Sequence, residues 1–121
     1  MNVLLIITNR YRTPIPVIPL GACIVAEYCE RAGHQVRTLD LMFERDPLGT
    51  LRSVIDRTQP DVVGISFRNI DNNDMQQPAA FYGDLAPLVE TVRSKTSAMI
   101  VLGGAAVSVM PEALLRFTGA D

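Results

Sequence analysis

Asn2-Val3-Leu4-Leu5-Ile6-Ile7-Thr8 sets five apolar side chains in succession with no polar alternation. Strand side chains point to opposite faces in turn, so such a run suits a strand covered on both faces, as in the middle of a parallel sheet. The signature returns at Asp61-Val62-Val63-Gly64-Ile65-Ser66 after Pro60 and at Ala98 to Leu102, with a shorter stretch at Gln35 to Leu39. Gly64, inside the third run, points to close approach of a helix or a ligand.

Helical spacing fills the intervals. Pro19 suits a helix first turn, and Leu20, Cys23, Ile24, Glu27 and Tyr28 follow at helical spacing up to a stop at Gly33. Asp46-Pro47 reads as a cap and first-turn proline, with Leu48, Leu51, Val54 and Ile55 on one face. A third helix carries Leu85, Leu88, Val89 and Val92, its Pro87 tolerated if Asp84 is the cap, and a fourth around Pro111 to Leu115 stops at Gly119. Four strands alternating with four helices predict an α/β fold: a flavodoxin-like (Rossmann-like) doubly wound parallel sheet of order 2-1-3-4. The fifth strand of the 2-1-3-4-5 order is expected to be truncated. Residues 1–121 are therefore read as a single domain cut from a longer chain, whose exposed strand-four edge could pair two copies into a homodimer.

Composition narrows the function. The 121 residues are 48% hydrophobic, enough for a core without disulfide staples. A net charge of -2 lacks the basic footprint of a nucleic-acid binder, so no nucleic acid is expected as partner. No apolar run approaches the roughly 18 residues of a membrane span, and Met1-Asn2-Val3 lacks a signal's basic segment, so a cytoplasmic location is expected. Cys23 and Cys29, about 240° apart around a helix, read as buried thiols rather than a bridge.

Ligands of such sheets bind beyond the carboxyl ends of the strands, where strands one and three diverge. Three segments lie there: Thr8-Asn9-Arg10-Tyr11-Arg12 and on to Pro16, Ser66-Phe67-Arg68-Asn69 and on to Asp74, and Gly103-Gly104-Ala105-Ala106. The middle connection runs to about Tyr82, longer than an ordinary βα loop, and long loops in compact domains are commonly functional. A dinucleotide G-x-G-x-x-G is excluded, because no glycine precedes Gly21. The bulky Arg10, Tyr11 and Arg12, with Pro14 and Pro16 lacking N–H groups, make a poor flavin phosphate loop. A phosphoacceptor receiver needs an aspartate and a lysine where this chain has Ser66 and Gly103.

Gly103-Gly104 would let a bulky ligand press against backbone, although on its own a glycine pair reads first as an ordinary turn. Ser66 is a candidate hydrogen-bonding group for a ligand or a cap for the following turn. Arg10 and Arg68 are candidates for anion or amide recognition if they converge on this edge. Asp71-Asn72-Asn73-Asp74 reads as a polar turn rather than a cation loop, for want of the loop glycine and distant glutamate.

One family shares the ordered set of these residues. Pro19-Leu20-Gly21, Gly33-His34-Gln35-Val36 with Leu39-Asp40, Pro60 to Ser66 with Arg68-Asn69-Ile70-Asp71-Asn72, Leu102-Gly103-Gly104, Ser108, Pro111-Glu112 and Gly119-Ala120-Asp121 resemble the cobalamin-binding domains that precede the catalytic domain of cobalamin-dependent radical S-adenosylmethionine enzymes. The resemblance covers nearly the whole chain. Cobalamin domains of the mutase and methionine synthase type carry D-x-H-x-x-G, then S-x-L, then G-G. Here Ser66 and Gly103-Gly104 match, Arg68 replaces the leucine, and the first element is absent.

The resemblance implies cobalamin bound at Thr8, Asn9, Arg10, Tyr11, Arg12, Ser66, Phe67, Arg68, Asn69, Gly103, Gly104 and Ala105, with no catalytic or metal-ligating residue in the chain. The only histidine, His34, falls at the amino end of the sheet, about five residues times 3.3 Å from the ligand edge. Binding is therefore expected base-off and without a protein histidine, the nucleotide tail entering near Ser66 and Gly103-Gly104. The strand-one loop from Asn9 to Arg12 would then meet the lower face of the corrin. S-adenosylmethionine and a [4Fe–4S] cluster belong only to the C-terminal radical domain, since no C-x-x-x-C-x-x-C loop occurs here. The expected partners are the corrinoid and that domain, serving methyl transfer or related radical chemistry. A docking module that binds no cofactor and a flavin or nucleotide domain remain the alternatives. Gly104→Val is expected to obstruct the ligand and spare the fold, because the residue reads as a loop position.

Overall fold

The computed structural model describes residues 1–121. Strands β1 (Asn2–Ile7), β2 (Gln35–Asp40), β3 (Val62–Ser66) and β4 (Met99–Gly103) form one parallel sheet of order β2-β1-β3-β4. The connecting helices are α1 (Leu20–Arg31), α2 (Pro47–Thr58), α3 (Leu85–Lys95), α4 (Ala105–Val109) and α5 (Pro111–Thr118), with a 3₁₀ turn at Tyr82–Asp84. The fold is the flavodoxin-like one expected, with strand bounds shifted by a residue at most. The short helix α4 was not foreseen: Ala105 and Ala106 lie in its first turn rather than in a loop.

Both faces of β1 are buried, as its unbroken apolar run requires. Leu4 and Ile6 join Val63, Ile65 and Ile100 under α2, α3 and α5 in one core with Leu51, Ile55, Leu88 and Val92. Asp46 caps α2 by accepting the Gly49 N–H at 2.9 Å, with Pro47 in the first turn. Asp84 does take the cap position of α3, but the preceding 3₁₀ turn holds it in helical geometry and its carboxylate makes no cap bond.

The opposite face carries α1 alone, and here two expectations need correction. The stripe Leu20, Ile24 and Tyr28 is exposed, and the residues turned to the sheet are the smaller Gly21, Ala22 and Val25 with Cys29. Cys23 is accordingly exposed and Cys29 only half-buried, so neither is a buried thiol. Beyond α1 the same face of β4 is uncovered, leaving Met99 57% and Val101 45% exposed.

Two carboxylate clips hold strand backbone, one at the start of the central β1–β3 seam and one on the outer edge of β4. Asp61 donates its N–H to the Asn2 carbonyl at 2.8 Å and accepts the Asn2 N–H on its side chain at 2.7 Å. Asp121 repeats this on β4, donating to the Ile100 carbonyl at 3.0 Å and accepting the Ile100 N–H at 2.8 Å. The Arg93 guanidinium hydrogen-bonded to Asp121, followed by the Ile100 N–H, holds that carboxyl below its usual value of 3.8.

Candidate functional site

Three connected hollows run from the carboxyl edge of the sheet down along α1. The first, about 160 Å³, lies between the loops after β1 and β3 and is lined by Phe81 and Tyr11, whose rings meet at a 40° tilt with centroids 5.5 Å apart. Asn9 and Arg68 line both it and the second, about 440 Å³, which opens under Val17, Ile18 and the first turn of α1. Gly21, Ala22, Ser66 and Gly104 continue into the third, an apolar groove of about 570 Å³ between α1 and strands β1, β3 and β4.

Thr8 ties the two central loops together: its N–H and hydroxyl both donate to the Ser66 carbonyl, at 3.2 and 3.0 Å. That leaves the Ser66 hydroxyl free of any partner within the chain, at the junction of the second and third hollows. Asn9 accepts the Tyr11 N–H on its side-chain oxygen, which holds the turn after β1. Arg68 is exposed and unpaired, and Asn69 lines the first hollow beside it.

Of the two other arginines, Arg10 lines the first hollow with Arg68 and Arg12 does not. Arg10 donates to the Glu44 carbonyl at 3.0 Å. Arg12 donates twice to the Met42 carbonyl, at 3.1 and 2.9 Å, and its guanidinium lies 4.8 Å from the centre of the Phe43 ring. Both guanidinium groups thus brace the β2–α2 loop. Phe67 is a core residue, 3% exposed, that serves the site through its backbone: its N–H donates to Gly103 and its carbonyl accepts from Ala106.

The paired glycines differ sharply. A Cβ on Gly103 would meet nothing within 4 Å, so open groove lies above it. Gly104 has φ +103° and ψ 169°, and a Cβ there would run into the Phe67 carbonyl oxygen and lie 2.9 Å from the Phe67 nitrogen. That backbone region is accessible essentially to glycine alone. Gly104→Val is thus a folding mutation, contrary to its reading as a tolerant loop position, and Gly103 is the residue whose side chain would enter the groove.

The long connection after β3 is built by Asn72. Its side-chain oxygen accepts the Asp74 and Ala79 N–H groups at 3.2 and 3.0 Å while its amide donates to Gln77 at 2.8 Å. Asp71 and Asp74 accept backbone N–H groups of Asn73, Gln76 and Gln77, which makes this the polar turn expected. The sequence reading missed the α1 wall of the site, namely Val17, Ile18, Gly21, Ala22 and Val25. The signal for Val17 and Ile18 was an apolar cluster inside the proline-rich loop from Pro14 to Pro19.

Comparison with known proteins bears on this geometry. Over 107 residues the chain is 31% identical to a tryptophan 2-C-methyltransferase of Streptomyces laurentii, covering 88% of this chain and 18% of that protein. Two structures of the radical S-adenosylmethionine methyltransferase TsrM from Kitasatospora setae are similar, each 31% identical and covering 98% of this chain. One, with tryptophan substrate and the analogue aza-SAM bound, superposes with a TM-score of 0.90 over 22% of its length. The other, with cobalamin and a [4Fe-4S] cluster bound, superposes with a TM-score of 0.88 over 21% of its length. The chain therefore spans about a fifth of the length of these relatives. Residues 12–121 match the family described as the B12 binding domain, and the chain belongs to that family.

Proposed function

We infer that residues 1–121 form the corrinoid-holding domain of a longer radical S-adenosylmethionine methyltransferase, and that they bind cobalamin base-off with its nucleotide tail in the groove along α1. The observation that carries this is the groove itself, floored by Gly64, open above Gly103 and walled by Gly21 and Ala22. It offers apolar walls, a free Ser66 hydroxyl at its mouth and no side chain reaching across, a cradle that fits a flat heterocycle on a phosphate-linked arm. When bound, the corrinoid supplies a cobalt able to carry a methyl group, while the chain holds and orients it.

Asn9, Ser66, Arg68, Asn69, Gly103, Gly104 and Ala105 are the residues we assign to contact with the cofactor. Thr8, Arg10, Tyr11 and Phe67 line the first hollow with Asn9, Arg68 and Asn69, and Arg12 braces the neighbouring β2–α2 loop. His34 precedes β2 at the amino end of the sheet, which supports a cobalt without a histidine from this chain. The Asp121 clip on Ile100 supports a fifth parallel strand laid on β4 by residues that follow, with the radical domain beyond. Relatives about five times this length support the same organisation.

The test is an absorbance spectrum after incubation with hydroxocobalamin and gel filtration, run on this chain and on the full-length protein. A co-eluting corrinoid with a base-off spectrum is expected. If neither retains corrinoid, the reading falls and a docking module without cofactor takes its place; a base-on spectrum would overturn the base-off assignment, and a histidine-ligated one the assignment of a cobalt without a protein histidine.

A further inference from the structure

The groove has polar side chains only at its two ends. Ser66 stands at the mouth, and Cys29 and His34 stand at the foot, near Val3 and Val62. Mouth and foot are separated by the length of β3 on that face, from Ser66 to Val62, or about 13 Å at the strand rise. His34 is half-buried, and its ring makes no hydrogen bond within the chain. Its position is fixed from the backbone, where its N–H donates to the Cys29 carbonyl at 3.1 Å, directly after Gly33 with φ +86°.

A base released from cobalt brings a difficulty into this groove. Its ring nitrogen, no longer a metal ligand, is a hydrogen-bond acceptor, and a buried acceptor without a donor is costly. Val3, Leu5, Val25, Val62 and Val101 can donate nothing from their side chains. A thiol is a weak donor, whereas a neutral imidazole carries one strong N–H. We propose that His34 hydrogen-bonds the ring nitrogen of the corrinoid's lower base at the foot of the groove, making this histidine the residue that selects an azole base over one without a ring acceptor. The proposal rests on the placement of the tail inferred above. It gives the chain's one histidine a task at the end of the cofactor remote from the metal.

The experiment measures equilibrium binding by absorbance after dialysis, using the full-length protein and three probes: hydroxocobalamin, a cobamide with a phenolic lower base, and cobinamide, which lacks the nucleotide. The wild type is expected to bind hydroxocobalamin more tightly than both others. His34→Ala is expected to reduce the preference for hydroxocobalamin over the phenolic cobamide about tenfold, the worth of one buried hydrogen bond, with cobinamide unaffected. His34→Gln, which keeps a donor, should restore part of it. An unchanged preference in His34→Ala, alongside a wild type that still favours hydroxocobalamin over cobinamide, overturns the role of His34 and leaves the groove assignment standing. A wild type that treats hydroxocobalamin and cobinamide alike overturns both.

Discussion

Gly103 and Gly104 are adjacent and chemically identical, yet the structure asks opposite things of them. Gly104 is held at φ +103° with the Phe67 backbone against it, so Gly104→Ala should cost about 2 kcal/mol through strain alone, read as a lowered denaturation midpoint. Gly103 ends a strand with open groove above it, so Gly103→Val should leave the midpoint within about 1 kcal/mol while weakening hydroxocobalamin retention at least tenfold. Equal retention by Gly103→Val and wild type would remove the groove from the site. The pair was visible in sequence as a place where something approaches backbone. What separates the two is a contact with Phe67, a residue 37 positions earlier, and no local pattern encodes it. Arg10 and Arg12 teach the same lesson, because the carbonyls that bind them belong to Glu44 and Met42, across the β1–β2 seam.

Among the elements, strands were the most legible, since burial on both faces leaves β1 and β3 no room for polar residues. Helices α2 and α3 followed from their spacing, because each has one apolar face and one destination. Helix α1 was misread for a physical reason: it has two apolar faces, and the one turned to the sheet is the less hydrophobic. A helix wall that must leave space for a ligand needs small residues such as Gly21 and Ala22, and hydrophobic periodicity weights these least. The loop after β3 depends on one amide. Asn72→Ala removes two accepted bonds and one donated bond, so amide exchange at Asp74 and Ala79 should accelerate about tenfold or more. The sheet amides should be unaffected, because the loop is surface structure; faster exchange of sheet amides in the variant would show that the loop is coupled to the core.

For the whole molecule, stability in acid reports on the outer edge of β4. The Asp121 carboxyl titrates below its unfolded value of 3.8, so its contribution is complete above that pH and is lost as pH falls from 3.8 through the folded value. Acid melts of wild type and Asp121→Asn should therefore differ most at neutral pH and converge below that window; parallel curves down to the lowest pH would show that the clip contributes nothing. The architecture was readable because every β-α unit announced itself, while the uncovered face of β4 and the groove beside it are properties of the assembled sheet. The order of the clips also has a consequence for fidelity. Side chains alternate along a strand, so a slip of β3 by one residue past β1 would turn Ile65 toward α1 in place of Gly64 and plug the cradle with a branched side chain. Asp61, gripping Asn2 from both N–H and carboxylate, acts as a detent against that slip. An acid at the rim of the sheet thus guards a hollow at its centre, and the shape of the cradle is protected against misassembly by a residue that never touches what it holds.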